Sequence, residues 1–343
     1  MRVGILSPVW FPVPPTGYGG IEWVVSLLAD GLADAGHDPV LYASGDSHTK
    51  AELRYVYEKA PSEWIGHTFW ELRHALSALL DAGELDVIND HTGMMGLLLT
   101  GLVDVPSVHT VHGPLTGEPG ELYAAICRVN PRAKLISLSL NQRKPHPDLP
   151  WVANCPNALD FSLYPVSPHR GDYLLFLGRM SPDKGCHRAI AVARSAGLPL
   201  KIAGKNREPL EQQYYRELVE PHLGDGIEYL GEVNHGEKVE LLQNARATLF
   251  PIEWEEPFGL VMIESMACGT PVIGTRWGAV PEVIQHGVDG VIVDHYREME
   301  AALELADSLE PAAIRASAEA RFSPERMVDD YLRAYEAAIS APS

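Results

Sequence analysis

Short apolar segments alternate along the whole chain with longer segments whose apolar residues recur at helical spacing. The first series opens with RVGILSP at residues 2–8, and a helical pattern follows it from Ile21 to Leu32. A second series opens with YLLFLGR at residues 173–179. Consecutive parallel strands need a crossover, usually a helix, and helices then cover both faces of the sheet. The pattern therefore predicts an α/β protein with two Rossmann-like, doubly wound domains.

The two series meet in an irregular stretch at residues 158–171, ALDFSLYPVSPHRG, which contains two prolines and a glycine. This composition is typical of a linker, and 343 residues are more than one ordinary domain requires. We therefore expect an N-terminal domain at residues 1–165 and a C-terminal domain at residues 166–323. Open parallel sheets bind ligands at the carboxyl ends of their strands, so a cleft between two such edges is the expected site.

The charge balance limits the partners that this chain can have. Asp and Glu number 46 against 27 Lys and Arg, which gives a formal net charge of −19. This field repels polyanions, so we expect no nucleic acid and no stable membrane association. The sequence shows no run of 18 apolar residues and no signal-peptide core. Its four cysteines form no Cys-x-x-Cys pair, and these features together favour a cytoplasmic protein with unlinked thiols.

The segment GRMSPDKG, Gly178 to Gly185, directly follows a predicted strand and enters a predicted helix. A helix N-terminus favours anions through its free amides and its dipole. Arg179 and Lys184 beside it could clamp a diphosphate, the arginine through its fork and the lysine as a point charge. A surface turn with two solvated charges is the alternative, because the segment fits neither a P-loop nor a dinucleotide fingerprint.

Two segments of the first domain are weaker candidates. TGYGGIE places Gly19 and Gly20 between the first strand and the first helix, where backbone can approach a ligand, although a plain helix-start loop explains it equally well. HTVHG ends a predicted strand at residues 106–113, whose alternation puts His109 and His112 on opposite faces. We expect His109 to be a satisfied interior histidine. His112, at the strand end, is open to a functional or a purely structural interpretation.

The segment EPFGLVMIESMACG joins a predicted strand, ATLFPI, to an apolar helix expected from Phe258 to Ala267. Glu256 precedes this helix and Glu264 lies within it. Burying an unpaired carboxylate is costly, whereas a carboxylate that accepts hydrogen bonds from the paired hydroxyls of a sugar or ribose is satisfied. The eight-residue spacing itself is uninformative, because other glutamate pairs in the chain share it. The strand–loop–helix context is what makes these two residues candidates.

Together and in this order, these segments resemble those of the retaining glycosyltransferases of family 4, which have the two-domain GT-B fold. The resemblance covers nearly the whole chain. It rests on the Gly-Gly loop, the His-Gly strand end, G-R-x-x-x-x-K-G, and E-P-F-G-L-x-x-x-E followed by A-x-G-x-P-V-I-G-T. It implies an acceptor-binding N-terminal domain and a C-terminal domain that binds the nucleotide-sugar donor. It also implies a tail helix, residues 324–343, that crosses back to the N-terminal domain.

The resemblance assigns a role to each matched residue. Arg179 and Lys184 would bind the donor diphosphate, and Glu264 would bind the ribose hydroxyls. The catalytic candidates are Glu256, which would bind hydroxyls of the transferred sugar, and His112, which would orient that sugar and stabilise charge. The other positions would contact the donor through their backbone: Gly19, Gly20, Phe258, Gly259 and Leu260 at the sugar and phosphates, and Gly204 and Val233 near the nucleobase.

The resemblance also implies a reaction. The anomeric configuration would be retained by front-face displacement, with the leaving phosphate helping to deprotonate the acceptor hydroxyl. No metal or other cofactor is expected, because Arg179 and Lys184 would neutralise the departing diphosphate. A UDP-sugar is the expected donor, on family frequency alone.

The features in which this chain differs from other members of the family predict the class of acceptor. It is compact and acidic, and its first helix has no Lys or Arg, which favours a soluble small-molecule or oligosaccharide acceptor over a lipid. The chain resembles family members from antibiotic pathways, which implies a role in the biosynthesis of an avilamycin-type oligosaccharide.

Two other functions remain open from the sequence. A nucleotide-sugar 2-epimerase uses the same pair of domains, and analysis of the reaction product would distinguish it from a transferase. A non-catalytic subunit that binds a nucleotide sugar is the second alternative. Slow donor hydrolysis without an acceptor would count against a mere binding protein.

Overall fold

The structure is a computed structural model that describes residues 1–17 and 19–340. Its contacts divide the chain into two compact units, one of Met1–Leu159 with the chain from Ser323 onward, and one of Asp160–Phe322. The sequence placed these boundaries at 165/166 and 323/324. The end of the predicted tail segment, residues 341–343, and Tyr18 of the Gly-rich loop lie outside the described residues.

The first unit contains, within the described residues, a seven-stranded sheet with the order β3-β2-β1-β4-β5-β6-β7. All its neighbouring strands pair in parallel. Its strands are β1 (Arg2–Leu6), β2 (Asp38–Tyr42), β3 (Glu52–Arg54), β4 (Val87–Asp90), β5 (Ser107–Thr110), β6 (Leu135–Ser137) and β7 (Trp151–Asn154). Its helices are α1 (Gly20–Asp34), α2 (Thr68–Leu80), α3 (Met94–Leu99), α4 (Glu118–Val129) and, from the end of the chain, α12 (Pro324–Ser340).

The second unit repeats the arrangement with a six-stranded sheet of described residues in the order β10-β9-β8-β11-β12-β13, again paired in parallel. The strands are β8 (Tyr173–Leu177), β9 (Leu200–Ala203), β10 (Ile227–Tyr229), β11 (Ala245–Phe250), β12 (Val272–Thr275) and β13 (Gly290–Val293). The helices are α5 (Cys186–Ala196), α6 (Pro209–Leu218), α7 (His235–Gln243), α8 (Leu260–Ala267), α9 (Val280–Val283), α10 (Met299–Ser308) and α11 (Pro311–Phe322). The predicted fold class, α/β with two Rossmann-like domains, is confirmed.

The central strands of each sheet are buried because helices cover both of their faces. Ile5 and Ile88 in the first sheet, and Leu174 and Ile273 in the second, have no exposed surface. Unbroken apolar runs such as YLLFL are what this environment requires, since neither face of the strand meets water. The four cysteines are unpaired, as predicted. No helix among the described residues has the length and apolar character needed to cross a lipid bilayer.

The last helix, α12, is part of the first unit because its tyrosines are buried against that unit's sheet. Tyr331 and Tyr335 are fully buried. The Tyr335 hydroxyl accepts a hydrogen bond from Asn89 Nδ2 at 2.8 Å, and the Tyr331 hydroxyl shares one with Thr110 Oγ1 at 3.2 Å. These partners lie in β4 and β5, so α12 covers the strands from which two histidines of the candidate site follow.

We expect replacement of Tyr331 by alanine to destabilise the first unit by about 3–5 kcal/mol, the usual cost of removing a fully buried aromatic ring. Tyr335→Phe is the matched control, because it keeps the ring and leaves only Asn89 without its acceptor, at a cost of about 1–2 kcal/mol. Urea denaturation followed by circular dichroism, fitted with separate transitions for the two units, measures both. A cost below about 1 kcal/mol for Tyr331→Ala would mean that α12 does not anchor through this ring.

Candidate functional site

Loops at one edge of the second sheet carry most of the residues that the sequence singled out. Arg179 follows β8, Gly204 follows β9, Val233 lies beyond β10 and Glu256 beyond β11. These four strands are neighbours in the parallel order β10-β9-β8-β11, so their carboxyl ends lie along the same edge. This edge is where open parallel sheets bind ligands.

Three glycines bring the loops after β8, β9 and β10 into direct contact. The Gly204 amide donates a hydrogen bond to the Gly231 carbonyl at 2.8 Å, which joins the loops after β9 and β10. A Cβ at Gly204 would lie 1.8 Å from the Gly178 carbonyl oxygen, so no side chain fits there. The Gly204 position and the turn that contains Val233, the two parts of the predicted nucleobase region, are therefore held side by side.

Lys184 and Glu256 form an ion pair between the loops after β8 and β11. The Lys184 ammonium donates to Glu256 Oε2 and also lies 4.5 Å from the centroid of the Trp254 ring. The Glu256 residue is only 8% exposed, so its charge would be costly without the lysine. Oε1 of Glu256 accepts no hydrogen bond from the described residues, which leaves one oxygen for a ligand.

The two loops are tied together by Arg188, a buried residue of α5 that sequence reasoning missed. Its guanidinium donates to the carbonyls of Pro182 and Asp183 in one loop, at 2.9 and 3.1 Å. It also donates to the Pro251 carbonyl at 2.6 Å and to the Glu253 carboxylate at 3.0 Å in the other. Arg188 therefore fixes the spacing of the backbone segments that carry Lys184 and Glu256.

A glycine after β12, which was also not predicted, holds Glu256 from the other side. Gly278 has a φ of +54°, and a Cβ there would lie 2.3 Å from the Glu256 nitrogen and 2.5 Å from its carbonyl oxygen. The next amide, that of Ala279, donates to the Glu256 carbonyl at 2.9 Å. The backbone of Glu256 is thus clamped by a residue that has no room for a side chain.

Helix α8 can bury the Glu264 carboxylate because two protein groups donate hydrogen bonds to one of its oxygens. Its Oε1 accepts a hydrogen bond from the Tyr164 hydroxyl at 2.9 Å and another from the Lys238 ammonium. Its Oε2 accepts none from the described residues and remains available. Lys238 lies in α7 and had no sequence signal as a site residue, because its partner is 26 residues away.

The helices at this edge begin at glycines. Both α5 and α8 have a glycine at the N-cap in a left-handed conformation, Gly185 with φ +80° and Gly259 with φ +85°. Neither glycine has a side chain to cap its helix, but the Tyr214 hydroxyl accepts a hydrogen bond from the His187 amide in the first turn of α5 at 3.1 Å, so the first amides open to an anion are those of α8. The amide of Leu260, the first residue of α8, is one of them, whereas the Phe258 ring is buried against Phe322. Helix α8 begins two residues later than predicted.

Arg179 differs from Lys184 in being partly solvent-exposed and loosely held. Its guanidinium lies 3.8 Å from the Asp183 carboxylate, longer than a good hydrogen bond. Its side chain keeps 37% of its surface accessible, against 17% for Lys184. The two cations that the sequence grouped together therefore occupy different environments, one partly exposed and weakly paired, the other largely buried in an ion pair.

In the first unit, the predicted residues lie at the carboxyl edge of the sheet as well. Gly19 caps α1 with φ +146°, and Gly20 is the first residue of that helix. A Cβ at Gly19 would come within 2.9 Å of both Pro15 and Glu22 Oε2, so the turn is closed to a side chain. The Glu22 carboxylate is 4% exposed, and burial raises the pKa of Glu22 to about 7.

His112 and His91 form a hydrogen-bonded pair after β5 and β4. His91 Nδ1 lies 2.9 Å from His112 Nε2, with the rings 5.1 Å apart. The strand predicted at 106–113 ends at Thr110, so His112 lies beyond it, partly exposed. Enclosure by protein lowers the pKa of His112 to about 3, with a further contribution from nearby His109. Burial lowers the pKa of His91 as well, so both rings are neutral at neutral pH.

His109 is a satisfied interior residue, as predicted. It is 2% exposed, and its two ring nitrogens have partners at hydrogen-bonding distance. Nδ1 lies 2.6 Å from Asp90 Oδ2, and Nε2 lies 3.1 Å from the Tyr123 hydroxyl. No nitrogen of this histidine is left for a ligand.

Comparison with known proteins gives the family. The family profile "Glycosyltransferase Family 4" matches residues 18–154, and "Glycosyl transferases group 1" matches residues 165–321. The structure superimposes on AviGT4, a glycosyltransferase involved in avilamycin A biosynthesis, with a TM-score of 0.74 and 27% identity over 99% of this chain and 98% of that one. The chain is a GT-B glycosyltransferase.

Two further proteins show how widely this fold is used. The glycogen synthase of Mycobacterium tuberculosis H37Rv is 28% identical over 85% of this glycosyltransferase and 82% of its own length. HepE from Anabaena, whose structure holds UDP and glucose, has a TM-score of 0.76 at 18% identity and covers 98% and 99% of the two chains. At that identity the likeness to HepE is one of fold. The family activity is transfer of a sugar from a nucleotide sugar.

Sequence reasoning missed several residues of the candidate site for different reasons. His91 follows β4 in the segment NDHTG, so the strand-end argument applied to His112 could have found it. Gly278 follows β12 in RWGA and is recognisable only once the Glu256 backbone is seen against it. Arg188 and Lys238 are charges inside helices, and nothing in the sequence distinguishes them from solvated residues.

The raised pKa of Glu22 makes a testable contribution to the pH dependence of stability. The folded state holds this proton more tightly than the unfolded chain, so stability falls as the pH rises from about 4.5 through about 7. Glu22→Gln removes the titration. Relative to wild type, the variant should therefore gain about 2–3 kcal/mol between pH 5 and pH 8.

Urea denaturation at the two pH values measures this change, with the exposed Glu58→Gln as the matched control. The control should show no comparable gain. Equal behaviour of the two variants would mean that the Glu22 carboxyl is not enclosed as described.

Proposed function

We propose that this glycosyltransferase moves a sugar, with retention of anomeric configuration, from a UDP-sugar to a hydroxyl of a soluble small-molecule or oligosaccharide acceptor. One observation carries the proposal. Lys184 and Glu256, a cation predicted to bind the diphosphate and a carboxylate predicted to bind the sugar, lie paired at the edge of the second sheet where α8 begins without a side-chain cap from the described residues. The diphosphate and the sugar are joined by the bond that breaks in the transfer.

The diphosphate is assigned to Lys184, Arg179 and the amides at the start of α8. The ammonium of Lys184 is already held in position, and the exposed guanidinium of Arg179 can move to the phosphates. Two cations and a helix N-terminus stabilise the charge that builds up on the leaving diphosphate. We propose on this basis that transfer requires no metal.

The ribose is assigned to Glu264 and the base to the backbone near Gly204 and Val233. Oε2 of Glu264 is the free acceptor, since Oε1 is occupied by Tyr164 and Lys238. The contact between the loops after β9 and β10 makes one continuous backbone surface for a base. Uridine is proposed on the frequency of UDP-sugar donors in the family that the chain resembles.

The transferred sugar is assigned to Glu256 and His112, with Gly19 and Gly20 contacting the donor through backbone. Glu256 keeps Oε1 for a sugar hydroxyl, and His112 keeps Nδ1 for the sugar. Following the family resemblance, the route we propose is front-face displacement, in which the leaving phosphate takes the acceptor proton.

We assign the acceptor from the net charge of the chain and from the pathway of one relative. The net charge of −19 opposes an anionic lipid surface and favours a soluble acceptor. AviGT4, the relative at 27% identity over nearly the full chain, is involved in avilamycin A biosynthesis. We therefore extend to this chain a role in building the sugar part of an antibiotic-type oligosaccharide.

We expect Lys184→Ala to weaken the binding of UDP by about 1.5–3 kcal/mol, the scale of a hydrogen bond to a charged group. Isothermal titration calorimetry with UDP measures the change. The same variant leaves the Glu256 carboxylate buried without its partner, so it also lowers stability.

The double variant Lys184→Ala/Glu256→Gln separates the two effects. It removes the unpaired carboxylate and should recover much of the melting temperature, while UDP binding stays weak. Glu256→Gln alone should keep UDP affinity, because Glu256 is assigned to the sugar. Full affinity for UDP in a folded Lys184→Ala variant would remove this residue from the diphosphate site.

The function as a whole is tested by donor selection and hydrolysis. Thermal shifts with UDP-, GDP-, dTDP- and ADP-glucose identify the preferred base, and we expect UDP-glucose to give the largest. Slow hydrolysis of that donor without acceptor, in the presence of EDTA, should release α-glucose from the α-linked donor. Release of the β-anomer would contradict retention, a 2-epimeric product would favour the epimerase, and binding without any turnover would favour a binding subunit.

A further inference from the structure

We propose that His91 is a positioning residue for the transfer reaction: it fixes the ring orientation and the tautomer of His112, so that Nδ1 is the atom His112 presents to the reacting sugar. The proposal deepens the proposed function and rests on it for the role of His112. The hydrogen bond between His91 Nδ1 and His112 Nε2, at 2.9 Å, is its starting point.

The position of His91 is set by its surroundings. The residue is 1% exposed, and its amide donates to the Leu6 carbonyl at 2.9 Å, which fixes the start of the loop after β4. Its ring lies 6.0 Å from the ring of Tyr331 in α12, at an angle of 35°. The ring is therefore held between the sheet and α12, while His112 keeps part of its surface open.

The pair holds one proton in the bond between the rings. In a neutral imidazole one nitrogen donates and the other accepts, so either His91 donates to His112 or the reverse. The direction of this hydrogen bond determines whether the remaining nitrogen of each ring is a donor or an acceptor. If His91 donates, Nδ1 of His112 is a donor, and if His112 donates, its Nδ1 is an acceptor. The direction of this one hydrogen bond therefore decides whether Nδ1 of His112 donates a hydrogen bond to the sugar or accepts one from it.

The second nitrogen of His91 supports a role beyond packing. His91 Nε2 is buried without a hydrogen-bond partner among the described residues. An orphaned polar atom in an enclosed site costs free energy, which an apolar side chain of similar size would avoid. The one ring nitrogen of His91 that makes a hydrogen bond within the described residues is therefore Nδ1. Its bond to His112 accounts for a histidine at this position.

Two variants separate the hydrogen bond from the mere presence of a polar side chain. His91→Asn places an amide group where Nδ1 was and can keep the bond to His112. His91→Gln reaches instead to the position of Nε2 and loses it. The two amides are chemically matched, so a difference between the variants reports the bond to His112.

The first measurement is NMR of the full chain labelled with ¹⁵N-histidine, with the signals of His112 identified by their loss in His112→Ala. We expect one neutral tautomer of His112 in wild type and in His91→Asn, and a mixture in His91→Gln. Identical His112 signals in wild type and His91→Gln would overturn the proposal. This arm needs no donor, so it stands or fails independently of the proposed function.

The second measurement is a double-mutant cycle on the hydrolysis of UDP-glucose. We expect His91→Gln to lower kcat about tenfold with KM nearly unchanged, the scale found when the partner that orients a histidine is removed. His91→Asn should recover most of the rate, and His91→Gln should have no further effect in a His112→Ala background. An equal loss of kcat in the wild-type and His112→Ala backgrounds would show that the role of His91 is purely structural and would overturn the proposal. Absence of hydrolysis by wild type would count against the proposed function, and the NMR arm would still decide the coupling.

Discussion

Two carboxylates within nine residues of the chain are almost completely removed from water, and the loops around them are arranged to neutralise that charge. Glu256 is held by Lys184, and Glu264 by Lys238. A buried ion pair adds little to folding compared with an apolar pair of the same size, because both ions must be desolvated. Each carboxylate nevertheless keeps an oxygen that no described protein group uses. A lysine bonds to one oxygen of each carboxylate, and the other oxygen can accept a hydrogen bond from a hydroxyl group of a ligand.

The candidate site residues of the two units differ in how their burial is compensated. In the second unit, charges are paired and the backbone around them is locked by Arg188. In the first unit, burial disfavours the charged forms of His112 and Glu22, since it lowers the pKa of His112 and raises the pKa of Glu22. Fixed charges suit a diphosphate that leaves with its negative charge. Neutral groups suit hydroxyls, which need hydrogen bonds in a defined direction and no net field.

The sequence allowed the fold and the loops of the site to be predicted, because both follow from local patterns. Strand ends are visible as apolar runs that stop at glycine or histidine, and parallel order then places those ends along one edge. The interior role of His109 was predicted because a histidine within a strand is usually buried with its hydrogen bonds satisfied. The partners Lys238 and Arg188 were not predictable, because their contacts join residues 26 and 63 positions apart and depend on how helices pack. Family resemblance supplied roles for the matched residues and none for these two.

The C-terminal helix connects the stability of the first unit to the geometry of its histidines. Tyr331 of α12 packs beside His91 and bonds to Thr110, two residues before His112. A shift of α12 would therefore move both the ring that orients His112 and the strand end that carries it. The last helix of the chain thus does more than cover a sheet. It also restrains the His91 ring, whose Nδ1 contacts Nε2 of His112, so Nδ1 is the ring nitrogen of His112 that has no partner among the described residues.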